Sequence, residues 1–247
     1  MQEFYIDSDG IKLHAKLDMP AGIIEQCPLC IVIHGFTGHM EERHIVAVSK
    51  AMNEIGIATL RVEMYGHGKS GGEFRNHTLY KWVTNALSAV DYALRLDFVT
   101  ELYICGHSQG GLLTMLIAGM RPEAFKAVIP LAPAWMIPEG ARIGNLLGMP
   151  FDPERIPKEL VSGELRLSGD YIRVAQTIHP EEEIVRYRGP VLIVQGDSDE
   201  AVPYEYAVKA NDLYTDCRLV TIPGDTHCYD YHLEMVTEAV KDFLKNL

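Results

Sequence analysis

The chain has no cluster of lysine and arginine: 22 basic residues are scattered among 34 acidic ones, for a formal net charge of −12. That balance repels phosphate backbones and anionic lipid surfaces, so neither nucleic acid nor membrane is expected as a partner. No apolar run is long enough to span a bilayer. The opening residues Met-Gln-Glu-Phe carry neither the basic n-region nor the apolar h-region of a secretion signal. Cysteine is sparse and odd in number, five in all at Cys27, Cys30, Cys105, Cys217 and Cys228, which speaks against a disulfide framework. Cys27 and Cys30 have redox-pair spacing but lead into a strand instead of opening a helix, and therefore read as structural. Internal repeats and low-complexity tracts are also missing. These absences together predict a soluble, cytoplasmic protein, monomeric or homodimeric.

What is present is ordinary for a globular enzyme: 247 residues, 47% hydrophobic and 23% charged, enough for one large α/β domain with a modest insertion. The chain opens as a hairpin, Phe4-Tyr5-Ile6, then an Asp9-Gly10 turn, then alternation over residues 11–17. The continuous apolar run at 29–34 reads as a strand buried on both faces, and 58–62, 102–105, 127–131, 191–194 and 218–222 read as further strands. Helices are expected at 45–55, from 112 onward, at 204–213 and from 233. The clearest helical period is Leu79, Trp82, Val83, Ala86, Leu87, Val90 and Leu94, with Asn76 or Thr78 as N-cap. Repeated β–α units after an antiparallel start imply a mostly parallel sheet with helices on both faces.

Residues 132–184 break the rhythm. Six of the thirteen prolines fall between Pro130 and Pro157, and the segment is too long for a plain connection. It follows a core strand at the sheet edge where ligands bind in α/β folds. The sequence therefore predicts a core of residues 1–131 and 185–247, with 132–184 as an inserted cap.

Residues 102–111, Leu-Tyr-Ile-Cys-Gly-His-Ser-Gln-Gly-Gly, carry the chemistry. An apolar strand enters Gly106-His107-Ser108-Gln109-Gly110 and leaves as an apolar helix, the context a G-x-S-x-G nucleophile elbow requires. A serine hydroxyl needs an adjacent base, oriented by a third group. Of the three histidines after the elbow, His179 lies in the presumed cap and His232 in the last helix. His227 stands in Pro223-Gly-Asp-Thr-His-Cys228, a loop between a strand and the final helix, and is the expected base. The acid belongs on the loop after the 191–194 strand, Gln195-Gly-Asp-Ser-Asp-Glu-Ala-Val-Pro203. There Asp197 and Asp199 both qualify on spacing; Asp199 lies deeper in the loop, and Asp197 is placed to tie the turn. The expected oxyanion donors are the backbone N–H of Gln109 and that of Phe36 after His34-Gly35.

Tyr65-Gly66-His-Gly68-Lys-Ser-Gly71 imitates two nucleotide motifs. Glu63 occupies the first glycine position of a P-loop, and no helix is expected at the third glycine of a dinucleotide fingerprint. It reads as a glycine-rich turn beneath the site.

Together these stretches resemble the α/β-hydrolase superfamily and, within it, the bacterial cinnamoyl or feruloyl esterases. The resemblance runs over essentially the whole chain. Its carriers are His34-Gly-Phe-Thr-Gly-His-Met-Glu-Glu-Arg-His44, Tyr65-Gly-His-Gly-Lys-Ser70, Gly106-His-Ser-Gln-Gly-Gly111, Gly196-Asp-Ser-Asp-Glu-Ala-Val-Pro203 and Gly224-Asp-Thr-His-Cys228. It implies an eight-stranded, mostly parallel sheet and a triad of Ser108, Asp199 and His227, which selects Asp199 over Asp197. Phe36 and Gln109 would be the oxyanion donors. The resemblance also implies hydroxycinnamate esters as small-molecule substrates, no metal or organic cofactor, and a cap in which Tyr171 meets the phenolic hydroxyl of the acyl group. Where relatives carry aspartate before the glycine turn, this chain has Glu63. Gly140 and Leu147 stand where some relatives place polar groups. A short-chain carboxylesterase or monoacylglycerol lipase would use the same triad, and a silent binding protein would keep only the fold.

Overall fold

A computed structural model describes residues 1–22 and 25–247. Strands β1 (Gln2–Ser8) and β2 (Ile11–Asp18) form the opening hairpin, with Asp9 and Gly10 at φ of 45° and 77° in its two-residue turn. Positive φ at both turn residues is what the twist of a tight hairpin asks for, and Asp-Gly supplies it. There follow β3 (Cys27–Ile33), α1 (Arg43–Glu54), β4 (Ala58–Val62), α2 (Leu79–Ala93), β5 (Val99–His107), α3 (Gln109–Met120) and β6 (Ala127–Leu131). Residues 132–184 hold α4 (Met136–Ile143), a hairpin of β7 (Asn145–Leu146) and β8 (Met149–Pro150), a second of β9 (Glu159–Ser162) and β10 (Leu165–Ser168), then α5 (Gly169–Gln176) and α6 (Pro180–Ile184). The chain closes with β11 (Val191–Gly196), α7 (Glu205–Leu213), β12 (Cys217–Ile222) and α8 (Leu233–Lys245).

Eight strands make one sheet in the order β1-β2-β4-β3-β5-β6-β11-β12, antiparallel at the β1–β2 and β2–β4 pairs and parallel from β4 onward. Alternate side chains feed two cores. Leu29, Ile31 and Ile33 of β3 join Leu102 and Ile104 of β5 under α2 and α3, while Cys30, Val32, Tyr103 and Cys105 face α1 and α8. Burial on both faces is why these strands read as unbroken apolar runs. Each fully buried Leu or Ile contributes about 1.5–3 kcal/mol. Cys27 and Cys30 both lie buried in β3 as free thiols, in the structural role expected.

Thr78, not Asn76, caps α2, its Oγ1 accepting from Lys81 N at 3.2 Å. The periodic face is buried as expected except at Leu87, which is half-buried, and at its end, where Leu94 is 49% exposed. Helix α3 starts at Gln109, three residues before the expected position, because the elbow passes directly into it. Every residue from Gln109 to Gly119 is buried. One side of α3 packs on the sheet; Leu112 and Leu116 on the other side meet Ala134, Ile137, Leu167, Tyr171 and Ile172. Among the described residues no helix is long and apolar enough to cross a membrane.

Candidate active site

Ser108 takes φ 57° and ψ −119° between β5 and α3. This region is hostile to a side-chain-bearing residue and costs on the order of 1–3 kcal/mol. Its surroundings hold it there: Ser108 N donates to Leu131 O (2.9 Å), and Ser108 O accepts from Leu112 N (2.9 Å) and Ala134 N (3.0 Å). The crossing of strand and helix is too close for side chains. A Cβ on Gly106 would strike the Gly110 carbonyl, and one on Gly110 the carbonyls of Ile33 and His34.

His227 lies between β12 and α8, and Asp199 after β11. His227 Nδ1 faces Asp199 Oδ2 at 2.8 Å, and the Asp199 side chain is fully buried. The same Oδ2 accepts from Gln195 Nε2 (2.7 Å), while Oδ1 accepts from the N–H groups of Ala201 and Val202, both at 2.8 Å. Four donors thus fix a carboxylate that could not be buried alone. Asp197 is exposed and accepts from Gly224 N at 2.6 Å, tying the two loops together. His107 braces the other side of His227: its Nε2 meets the His227 carbonyl at 2.7 Å, and the two rings lie 4.5 Å apart. Burial pushes the His107 pKa well below its ordinary value, with His44 and His227 adding to the effect.

The loop after β3 carries Phe36, and three imidazoles fix it. His34 Nδ1 meets Gly35 O at 2.8 Å, and its Nε2 accepts from Met64 N at 3.1 Å. His67, from the glycine-rich turn, lies between Phe36 O (2.6 Å) and Tyr65 O (2.9 Å). His77 packs on the Phe36 ring. Burial pushes His34 and His77 down to about 3 and lowers His67 as well. The glycine turn is therefore a prop under this loop. Glu63 anchors the turn, accepting from Lys69 N and facing His14 Nδ1, both at 2.7 Å. Phe36 N–H has no hydrogen-bond acceptor among the described residues. Gln109 opens α3, so its N–H has no intrahelical acceptor.

Ser108, Phe36 and His227 line one cavity of about 200 Å³. Met136, Leu147 and Ala201 also line a neighbouring groove of about 460 Å³ that runs past Ile143 and Tyr206. Tyr171 is brought close but not into that cavity. It is fully buried, its hydroxyl donates to Gln109 Oε1 at 2.5 Å, and its ring meets Phe36 edge-on at 5.6 Å. The sequence reading pointed to Leu147 but missed Glu42, Met136 and Cys228 as cavity walls and His107 as the brace on His227. Only His107 carried a local signal, its place beside the serine in the elbow.

The sequence matches the family described as "Serine aminopeptidase, S33" over residues 25–169, and that described as "TAP-like protein" over 168–247. Among solved structures, "Ferulic Acid bound to Est1E from Butyrivibrio proteoclasticus" superposes with a TM-score of 0.97 at 64% identity, covering 98% of each chain. A second structure of Est1E from the same organism gives 0.94 at 61% identity, covering 99% of this chain and 98% of that one. Human Protein ABHD12B is 26% identical over 88% of this chain and 60% of its own length. The mouse mitochondrial palmitoyl-protein thioesterase ABHD10 is 29% identical over 75% of this chain and 63% of its own. The chain thus spans about three-fifths of the length of these curated relatives. Fold, elbow and sequence matches agree: the chain belongs to the S33 family of α/β-hydrolases.

Proposed function

We propose that this protein is a serine esterase that hydrolyses hydroxycinnamate esters such as feruloyl, caffeoyl and p-coumaroyl esters. Ser108 Oγ attacks the ester carbonyl while His227 Nε2 takes its proton, and Asp199 holds the imidazole tautomer and stabilises the imidazolium. The N–H groups of Phe36 and Gln109 receive the oxyanion, each supplying about 3 kcal/mol to the transition state. His227 then returns the proton to the leaving alcohol, and water releases the acid from Ser108. The pairing of a buried Asp199 with His227 on the cavity that holds a strained Ser108 supports this chemistry.

The acyl class rests on one observation: 64% identity over 98% of the chain with Est1E, a protein whose structure holds ferulic acid. Residues 132–184 act in this reading as the cap over Ser108. Tyr171, fully buried outside the Ser108 cavity, donates to Gln109 Oε1 and so braces the elbow beside the acyl site. Five free cysteines, three of them buried, suit a reducing compartment such as the cytoplasm.

The test is a panel of methyl ferulate and methyl caffeate against short- and medium-chain aliphatic esters, with Ser108→Ala as the blank. Higher kcat/KM on the hydroxycinnamates is expected. A preference for butyrate over every hydroxycinnamate would transfer the protein to the short-chain carboxylesterases and refute the acyl assignment.

A further inference from the structure

We infer that Glu42 walls the subsite for the alcohol half of the ester and selects uncharged, hydroxyl-rich alcohols over alcohols that carry a carboxylate. The inference rests on the esterase reading above and extends it to the leaving group. In that reaction His227 hands its proton to the departing oxygen, so the alcohol must leave within hydrogen-bond reach of His227 Nε2. Residues that share a wall with His227 therefore touch the alcohol. Among the described residues lining the cavity, Glu42 is the one carboxylate, standing there with Thr37, Gly38 and Cys228.

The placement of this carboxylate is built, not incidental. It lies flat on Gly38, where any Cβ would collide with it. Its Oε2 accepts from His39 N at 3.3 Å and stands 4.0 Å from His44 Nε2. Its Oε1 has no hydrogen-bond partner among the described residues. Burial raises the Glu42 carboxyl pKa, and His39 and His227 are the imidazoles whose charge acts on it. Arg43 turns away to Tyr229 O (2.7 Å) and Asp230 (3.6 Å), and burial holds His44 at about 4, hence uncharged near neutrality. Only 25% of the Glu42 side chain is exposed. Partial dehydration of this kind strengthens both its attraction for hydroxyl donors and its repulsion of a second anion. A polyol offers several O–H donors to an acceptor-only group, whereas an alcohol bearing a carboxylate meets like charge there, with no arginine or lysine among the described residues lining the cavity.

The experiment compares two feruloyl esters of nearly one shape: feruloyl quinate, which carries a carboxylate, and its uncharged quinate methyl ester. The wild type is expected to favour the uncharged ester. In Glu42→Gln the ratio of their kcat/KM values should shrink about tenfold. Gly38→Ala, which displaces the carboxylate, should shift the ratio in the same direction. A purely structural Glu42 would lower both esters by one factor and leave the ratio where it was, which overturns the inference. Equal wild-type turnover of the two esters also overturns it. The same alcohol pair made as butyrates separates the two readings: a charge effect there, with no turnover of feruloyl esters, would retain Glu42 and refute only the acyl class. Turnover of neither acyl series would refute both.

Discussion

Asp197 and Asp199 sit two residues apart on one loop, and their neighbours give them different tasks. Asp199 is ringed by Gln195 and by the N–H groups of Ala201 and Val202, and its Oδ2, which accepts from Gln195, also faces His227. An amide at this position cannot accept all of those donors and also present an oxygen to His227 Nδ1, so the imidazole loses the tautomer it needs. Asp199→Asn is expected to lower kcat by about 10⁴-fold. In Asp197→Asn the amide oxygen still accepts from Gly224 N–H, and solvent covers the rest. Its kcat is expected within about threefold of wild type, with a stability change below about 0.5 kcal/mol. Steady-state kinetics on both variants decides the matter, and a larger loss at Asp197 would reverse the assignment. Spacing left both carboxylates open, because what separates them is a set of backbone donors folded around one of them.

At the scale of elements, the β7–β8 hairpin is the piece whose local chemistry disagrees with its conformation. Its two-residue turn, Leu147-Gly148, has φ of 52° and 81°. A tight turn of this kind favours Asn or Gly at its first position, and leucine there is strained. Leu147 also lines both the Ser108 cavity and the neighbouring groove, so the strained residue is part of the wall beside the nucleophile. Leu147→Asn is expected to raise stability by about 1 kcal/mol, which in a chain of this size is about 2–4 °C in Tm, and to change KM more than kcat. Calorimetry together with kinetics on methyl ferulate would check it; an unchanged Tm would remove the strain argument. The hairpin had no signature in the sequence, since two-residue strands show no period and leucine hides the turn. Helix α4 was hidden by Pro138, which falls in its first turn, where a missing N–H does no harm. The core strands and the elbow were legible for the opposite reason: burial on both faces leaves unbroken apolar runs, and the close crossing at Ser108 demands glycine at both ends.

Across the whole molecule, the fold gathers histidines that the sequence scatters over seventy residues. His34, His44, His67, His77 and His107 are all buried, packed ring against ring around Phe36 and the elbow. Nothing local marks them, because their burial comes from contacts between distant segments. Their pKa values fix how stability depends on pH. Burial pushes His34 and His77 down to about 3 and His44 to about 4, whereas the unfolded chain titrates near 6.5. Between those limits the unfolded state holds protons that the native state lacks, so stability rises with pH and is lost on acidification below about 6.5. Each such ring contributes about 1.4 kcal/mol per pH unit through that window. Thermal unfolding followed by circular dichroism should therefore give a Tm that is level above pH 7 and falls steeply from 6.5 toward 4.5. His77→Gln keeps a donor for Phe74 O and removes one titrating ring, so its stability curve should be shallower by about 1.4 kcal/mol per pH unit. A Tm that stays flat from pH 7 to 5 would mean that His34, His44 and His77 take up protons as readily in the folded state as in the unfolded chain, and their assignment as uncharged buried rings would have to be abandoned.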